Sequence, residues 1–265
     1  MAENESPELV VAREAARAGG AIVARYFRDG IAMRSKAVSN LVSDADVEAE
    51  HAIVEVIRKS FPKHEILGEE AHSGDVEAEH LWVVDPLDGT NNFAHRIPQF
   101  GVSVAYYREG VARCGVIFNP IREEWHEAER GRGATFNGRP ARVNEEARLN
   151  ESLVGVGFYY ERGPVMEKTL EAVAALKRDH HIHGIRRFGA ATLDLCMVGL
   201  GMLGAYFEYT LSPWDFAAGR LFVEEAGGVV TTCRGEPLPL EQSSILASNG
   251  RLHDAMLDVI RTRLP

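Results

Sequence analysis

Asp85 and Asp88 stand three residues apart in the string Trp82-Val83-Val84-Asp85-Pro86-Leu87-Asp88-Gly89-Thr90-Asn91-Asn92-Phe93-Ala94-His95. Two carboxylates this close, set across an abrupt turn, can point into one small pocket. A bare pocket of that kind would repel a phosphate, because one like-charge pair at 4 Å costs roughly 4 kcal/mol at an effective dielectric of about 20. Hard, oxygen-loving Mg²⁺ reverses the sign: it accepts one or two carboxylates and leaves positions for phosphate oxygens and water. The chemistry on offer is therefore metal-assisted phosphate binding. Asp, Pro, Gly and Thr also suit an ordinary surface turn, and the Asp-Pro-Leu-Asp segment alone leaves both readings open.

The elements around these carboxylates must position them. Leu81 to Val84 has the apolar character of a buried strand, with Asp85 at its end and Pro86 terminating its pairing. Gly89 admits a backbone conformation that a Cβ would resist. Thr90 to Phe93 can open a helix whose free N–H groups favour a bound phosphate.

Four further acids sit at element ends. Glu69 and Glu70 follow the short strand Glu65 to Gly68. Asp46 falls in the first turn of a helix carrying Val47, Ile53, Val54 and Ile57, and Asp215 in the first turn of a helix that begins at Trp214 and runs through Leu221, Phe222 and Ala226. An acid at either place also reads as a helix cap.

The rest of the chain alternates strands and helices. Ser6-Pro7 starts a helix whose face is Leu9, Ala12, Ala16, Val23 and Phe27, with Gly19-Gly20 permitting close packing. Phe100 to Tyr107 and Val111 to Phe118 form a hairpin, extended by Trp125 to Ala128 and Ala134 to Phe136 with a tight turn at Asn137-Gly138. Strands at 152–157, 205–209, 229–232 and 245–247 are interleaved with helices at 165–176, 190–198 and 252–260. Gly199-Leu200-Gly201-Met202-Leu203-Gly204 satisfies the dinucleotide fingerprint by letter, yet it follows a helix and precedes a strand, so it reads as a turn. His180, His181 and His183 match no compact zinc spacing and read as a polar loop.

Composition sets outer limits. The 265 residues suffice for one large domain or two closely packed halves, and 45% hydrophobic with 26% charged residues is ordinary globular usage. A formal charge of −10 argues against broad binding to nucleic acid or anionic membranes. The N-terminal residues lack signal-peptide character, and no run of 18 apolar residues occurs, which makes the cytoplasm the expected location. Cys114, Cys196 and Cys233 are widely spaced, as expected of buried thiols in a reducing compartment.

Taken together, Leu67-Gly68-Glu69-Glu70, the Trp82 to His95 string and Trp214-Asp215, in that order, resemble the inositol monophosphatase family of Mg²⁺-dependent, lithium-sensitive phosphatases. The likeness covers nearly the whole chain, including Asn40 to Asp46, Gly189-Ala190-Ala191 and Glu208. It implies an α/β fold, a layered α/β/α/β/α sandwich with mixed sheets. The metal motifs would lie in an N-terminal half, residues 1–150, and Asp215 would return to the same site from residues 151–265. Homodimers are usual in the family.

The resemblance further implies two to three Mg²⁺ ions. Glu69, Asp85 and the Leu87 carbonyl would hold one, Asp85, Asp88 and Asp215 a second, with a weaker third near Glu69. Asp46, Thr90 and Glu69 correspond to the residues that orient and deprotonate the attacking water. Gly89 and Thr90 N–H groups would hold the phosphate, while Asp88, Gly189, Ala191, Glu208 and Asp215 would contact the substrate. Tyr159 and Arg187 would border the mouth with Phe158, Tyr160, Glu161 and Arg162, although an ordinary ion pair is the other reading of Glu208 and Arg187.

Asn40 and Ala190 depart from the Asp and Thr of many members, reducing the hydroxyl contacts expected there. The expected substrate is a small phosphorylated metabolite, first myo-inositol 1-phosphate, with fructose 1,6-bisphosphate, histidinol phosphate and 3′-phosphoadenosine 5′-phosphate as alternatives. A different class, the aspartyl-phosphate phosphatases, would need Asp-x-Asp-x-Thr, and Asp85 to Thr90 has one residue too many. Bacterial relatives that join RNA polymerase assemblies motivate a third expectation, a binding role in transcription.

Overall fold

Residues His80 to Asp88 form a strand whose side chains alternate between two cores. Trp82 and Val84 enter one, while Leu81 and Val83 enter the other. Period-two alternation with apolar residues on both sides requires cover on both faces of the sheet.

This computed structural model describes residues 5–29, 44–159 and 162–264, and residues 34–37 and 40–42 as backbone. Ser43, Tyr160, Glu161 and the Asn40 side chain lie outside the described residues. In chain order the elements are α1 (Pro7–Asp29), β1 (Arg34–Ala37), β2 (Asn40–Val42), α2 (Asp44–Ser60), β3 (Glu65–Gly68), β4 (His80–Asp88), α3 (Thr90–Ala94), β5 (Gly101–Arg108), β6 (Val111–Asn119), β7 (Glu124–Glu129), β8 (Gly133–Phe136) and β9 (Arg139–Pro140). They continue with β10 (Leu153–Val156), α4 (Pro164–Arg178), β11 (Gly184–Arg186), α5 (Ala191–Gly199), β12 (Ala205–Leu211), α6 (Pro213–Glu225), β13 (Val229–Thr231), β14 (Ser243–Ser248) and α7 (His253–Ile260).

Strands β3 to β9 make a seven-stranded sheet in sequence order, parallel only between β3 and β4. A five-stranded sheet has the order β11-β10-β12-β14-β13, parallel among its first three strands and antiparallel thereafter. Helices α1 and α2 pack on the outer face of the larger sheet. Between the sheets lie α5 and α6, and α4 and α7 cover the outer face of the smaller one. The layers are therefore α/β/α/β/α with two mixed sheets. No helix is long and apolar enough to cross a membrane among the described residues.

Local chemistry accounts for most of the boundaries. Ser6 Oγ accepts the Leu9 N–H at 3.2 Å, capping α1 ahead of Pro7. Gly19 and Gly20 let that helix close on its neighbours: a Cβ on Gly19 would stand 2.7 Å from Ile53, and one on Gly20 2.7 Å from Phe118. Asn137 and Gly138 have φ of 47° and 75°, the paired left-handed residues of a tight hairpin turn.

Two expectations need correction. The β4 strand does not end at Asp85; pairing skips Pro86 and Leu87 and resumes at Asp88, opposite Gly101. The buried stripe of α2 is Ala45, Asp46, Ala49, Glu50, Ile53, Val54 and Ile57, with Val47 only half-buried. The apolar periodicity alone overlooked two acids on the core side.

Candidate metal centre and substrate cleft

Asp85 pairs with Ser103 and Asp88 with Gly101, so three steps along β4 face two along β5. That is a one-residue bulge. In a regular strand residues three apart point to opposite faces, and the extra residue brings both carboxylates to one side. Asp215 arrives from the other half of the chain in the first turn of α6. Asp85, Asp88 and Asp215 each offer a carboxylate oxygen within 4.8 Å of the others.

Each of these acids accepts hydrogen bonds from the protein, and one buried oxygen of the three carboxylates is left unmet among the described residues. Asp85 Oδ1 accepts the Leu87 N–H at 2.9 Å, while the buried Oδ2 has no hydrogen-bond partner among the described residues. Asp88 Oδ2 accepts the Thr192 N–H and hydroxyl. Asp215 Oδ2 accepts the Ser212 N–H at 2.7 Å as half of a capping box. Asp215 is thus a helix cap and a member of the cluster at once.

The charges are poorly compensated. Burial, followed by the charges of Glu69, Asp88 and Asp215, pushes the Asp85 carboxyl well above the usual carboxylate range. Burial also raises Asp88, against the lowering by the Thr192 hydroxyl and N–H. Asp215 is raised well above its ordinary value by burial and then by Asp88. An orphaned buried carboxylate oxygen beside two more acids is a donor set for a hard divalent cation, and the residues present fit one.

The three acids wall a cleft of about 260 Å³ that also takes in Glu69, Leu87, Gly89 and Thr90. Thr90 Oγ1 donates to the Leu87 carbonyl at 3.1 Å. Gly89 has φ 91°, and a Cβ there would stand 2.9 Å from the Gln99 carbonyl, so the turn demands glycine. Asn92 Nδ2 donates to the carbonyls of Gln99 and Phe188, both at 2.7 Å, tying this turn to the chain that leads into Gly189.

Asp46 is buried in the first turn of α2 and is not among the described residues that line the cleft. One helical turn on, Glu50 is fully buried and holds the loop that carries Glu69. Its Oε2 accepts the Glu70 N–H at 2.8 Å, and its Oε1 meets the Ala71 N–H at 2.9 Å and His72 Nδ1 at 2.6 Å.

The far end of the cleft is built from α5, β12 and the residues before α5. Gly189, Ala191, Arg187, Phe158, Tyr159 and Glu208 all line it. Glu208 Oε2 accepts the Tyr206 hydroxyl at 2.7 Å, and burial pushes its carboxyl up to about 7. Gly157 makes room for it, since a Cβ there would collide with Glu208. His180, His181 and His183 lie in and beside the loop after α4, and all three cysteines are free and buried.

Three functional neighbours escaped the sequence reading. Thr192 and Glu50 gave no signal, because each acts through a tertiary contact. Asp194 did give one: it is the lone acid in the apolar helix Ala191–Gly199.

Comparison with known proteins agrees with this geometry. The profile of the inositol monophosphatase family matches residues 4–263. The chain is 40% identical to the Nus factor SuhB of Pseudomonas aeruginosa, over 98% of this chain and 97% of that protein. It is 38% identical to an inositol-1-monophosphatase of Synechocystis, over 94% of this chain and 86% of the other. The crystal structure of the suhB protein of Bartonella henselae superposes with a TM-score of 0.90 at 36% identity, covering 97% of this chain and 99% of that one. With its layers, its acidic cleft and these relatives in agreement, the chain belongs to the inositol monophosphatase family.

Proposed function

We propose that this protein is a Mg²⁺-dependent hydrolase of small phosphate monoesters, with myo-inositol 1-phosphate its first substrate. The observation that carries this reading is the convergence of Asp85, Asp88 and Asp215 within 4.8 Å, with Asp85 Oδ2 buried and unpartnered among the described residues. On this reading Glu69, Asp85 and the Leu87 carbonyl hold one Mg²⁺, and Asp85, Asp88 and Asp215 hold another, with a weaker third ion near Glu69. Bound there, such ions lower the pKa of water and neutralise charge on the phosphoryl oxygens.

The chain's own residues do the rest. Glu69 and Thr90 orient the attacking water and take its proton, with Asp46 acting through them from behind the cleft lining. The N–H groups of Gly89 and Thr90 hold the phosphate for in-line displacement, with no phosphoenzyme. Gly189, Ala191, Glu208, Arg187 and Tyr159 surround the alcohol. The halves 1–150 and 151–265 share this one cleft, and the working form is a cytoplasmic homodimer.

Phosphate release from a panel of phosphorylated metabolites, with Mg²⁺, with Li⁺ and after chelation, tests the proposal. Turnover of myo-inositol 1-phosphate that needs Mg²⁺ and falls with Li⁺ supports it. Activity that survives complete metal removal refutes it. A preference for fructose 1,6-bisphosphate, histidinol phosphate or 3′-phosphoadenosine 5′-phosphate would reassign the substrate within the same chemistry.

A second reading is motivated by the relative named as a Nus factor: attachment to an RNA polymerase assembly. Retention on purified RNA polymerase by both wild type and a folded Asp85→Asn variant would support it. Loss of retention by wild type itself would remove it.

A further inference from the structure

Asp194 is an acid that the proposed chemistry does not use. It lies in the first turn of α5, in a helix whose other residues are apolar except for Thr192. Its residue exposure is only 1%, yet it lines the cleft, and its Oδ1 is buried with no hydrogen-bond partner among the described residues. Buried acceptors are nearly always satisfied, so an unpaired carboxylate oxygen in a cleft wall points to a ligand's donor.

Its neighbours narrow the class of that donor. Glu208 faces the same end of the cleft and is already engaged with the Tyr206 hydroxyl. The charges of Glu208, Asp88 and Arg187 all act on Asp194, and the Gly189 N–H faces its carboxyl. Burial raises both the Asp194 and the Glu208 carboxyls, so this corner offers a ligand ammonium no fixed pair of anions, while the Arg187 guanidinium opposes it. A neutral hydroxyl meets no such opposition, and it satisfies the acceptor.

We propose that Asp194 is a specificity-determining residue: its Oδ1 accepts a hydrogen bond from a hydroxyl of the substrate's alcohol, selecting phosphate monoesters of neutral polyols. This rests on the phosphatase reading for the reaction, but the recognition itself is a binding property. Removing a hydrogen bond to an ionisable acceptor changes affinity about ten- to hundredfold.

The test uses the full-length protein and three probes: myo-inositol 1-phosphate, 4-nitrophenyl phosphate, which lacks hydroxyls, and 2-aminoethyl phosphate. Calorimetric binding is measured with Ca²⁺, and kcat and KM with Mg²⁺, for wild type, Asp194→Ala, Asp194→Leu and Asp194→Asn. Wild type should bind the polyol ester more tightly than either other probe. The Ala and Leu variants should lower the polyol-to-nitrophenyl affinity ratio about ten- to hundredfold, mainly through KM, and Asn, which keeps an acceptor oxygen, should recover most of that ratio.

Leu preserves bulk if Ala fails to fold, and the wild-type ranking stands without either variant. Equal losses on both esters, or a wild type that binds the polyol ester no better than the others, overturns the proposal. Selective binding without turnover would instead refute the phosphatase reading and leave the role of Asp194 intact.

Discussion

Asp88 Oδ2 accepts two hydrogen bonds from Thr192, at 2.7 Å from the backbone N–H and 2.5 Å from the hydroxyl, across 104 residues of sequence. The pair fastens the end of β4 to the start of α5, whose N-cap, Ala190, has no side chain able to cap it. A distant carboxylate therefore caps the helix, and the helix in turn fixes the carboxylate. Thr192→Val keeps the shape and the N–H donor but deletes the hydroxyl. It should reduce stability by about 1–3 kcal/mol and weaken divalent-cation affinity about ten- to hundredfold, read from melts and from metal titrations. Unchanged metal affinity would show that Thr192 only supports the helix.

Asp85 provides a test of the cluster without metal. Its charge repels Asp88 and Asp215 at no more than 4.8 Å, worth roughly 3 kcal/mol per pair at an effective dielectric of about 20. Asp85→Asn removes that repulsion and introduces a buried amide group that lacks a partner, at about 1–3 kcal/mol. The two effects nearly cancel or favour the variant. Metal-free Asp85→Asn should accordingly melt no lower than wild type at pH 8, while losing most of the rise in Tm on adding Mg²⁺ and at least about a thousandfold in turnover. A variant that gains as much from Mg²⁺ as wild type would remove Asp85 from the metal set.

Glu208 makes a prediction about pH. Burial raises its carboxyl in the folded protein from 4.5 to about 7, so the folded state binds the proton more tightly than the unfolded chain. The associated stability is fully present below about pH 4.5 and is lost as pH rises through 7. The difference amounts to about 3 kcal/mol. Denaturant unfolding of the metal-free protein between pH 5 and 8 should show wild type losing about that much relative to Glu208→Gln, which has no proton to release. Parallel pH profiles for the two proteins would contradict a raised Glu208.

Periodicity shows only the alternation of strands and helices, the layered architecture is implied by the family resemblance, and what neither reaches has identifiable reasons. The strands flanking Asn137-Gly138 and the helix after Ser6-Pro7 are legible because turn and cap chemistry is local. The Gly199 to Gly204 run is a turn, as its place after a helix predicts, with Gly201 at φ 69°. The bulge between Asp85 and Asp88 is a property of pairing with β5, and a single strand read alone shows only Pro86, which suggested a stop. Motif order and resemblance linked Asp215 to Asp85 and Asp88. By contrast, nothing within a few residues of Thr192 or Glu50 shows that each reaches a loop or strand far along the chain.

Glu50 is where that distant action has the sharpest consequence. Three donors from Glu70, Ala71 and His72 converge on its carboxylate, and Gly68 must lack a side chain because a Cβ there would stand 2.6 Å from Glu50 Oε2. The loop next to Glu69 is thus pinned from inside the core. Glu50→Ala leaves those donors unmet and opens a cavity, and should destabilise the protein by about 2–5 kcal/mol. Glu50→Gln keeps an acceptor oxygen and the side-chain volume, and is the variant expected to fold well. If Glu50 acts by placing Glu69, Glu50→Gln should lower kcat about tenfold or more with KM changed less than threefold, and should raise the Mg²⁺ concentration needed for half-maximal activity. A merely structural role would lower Tm and leave that metal dependence where it was.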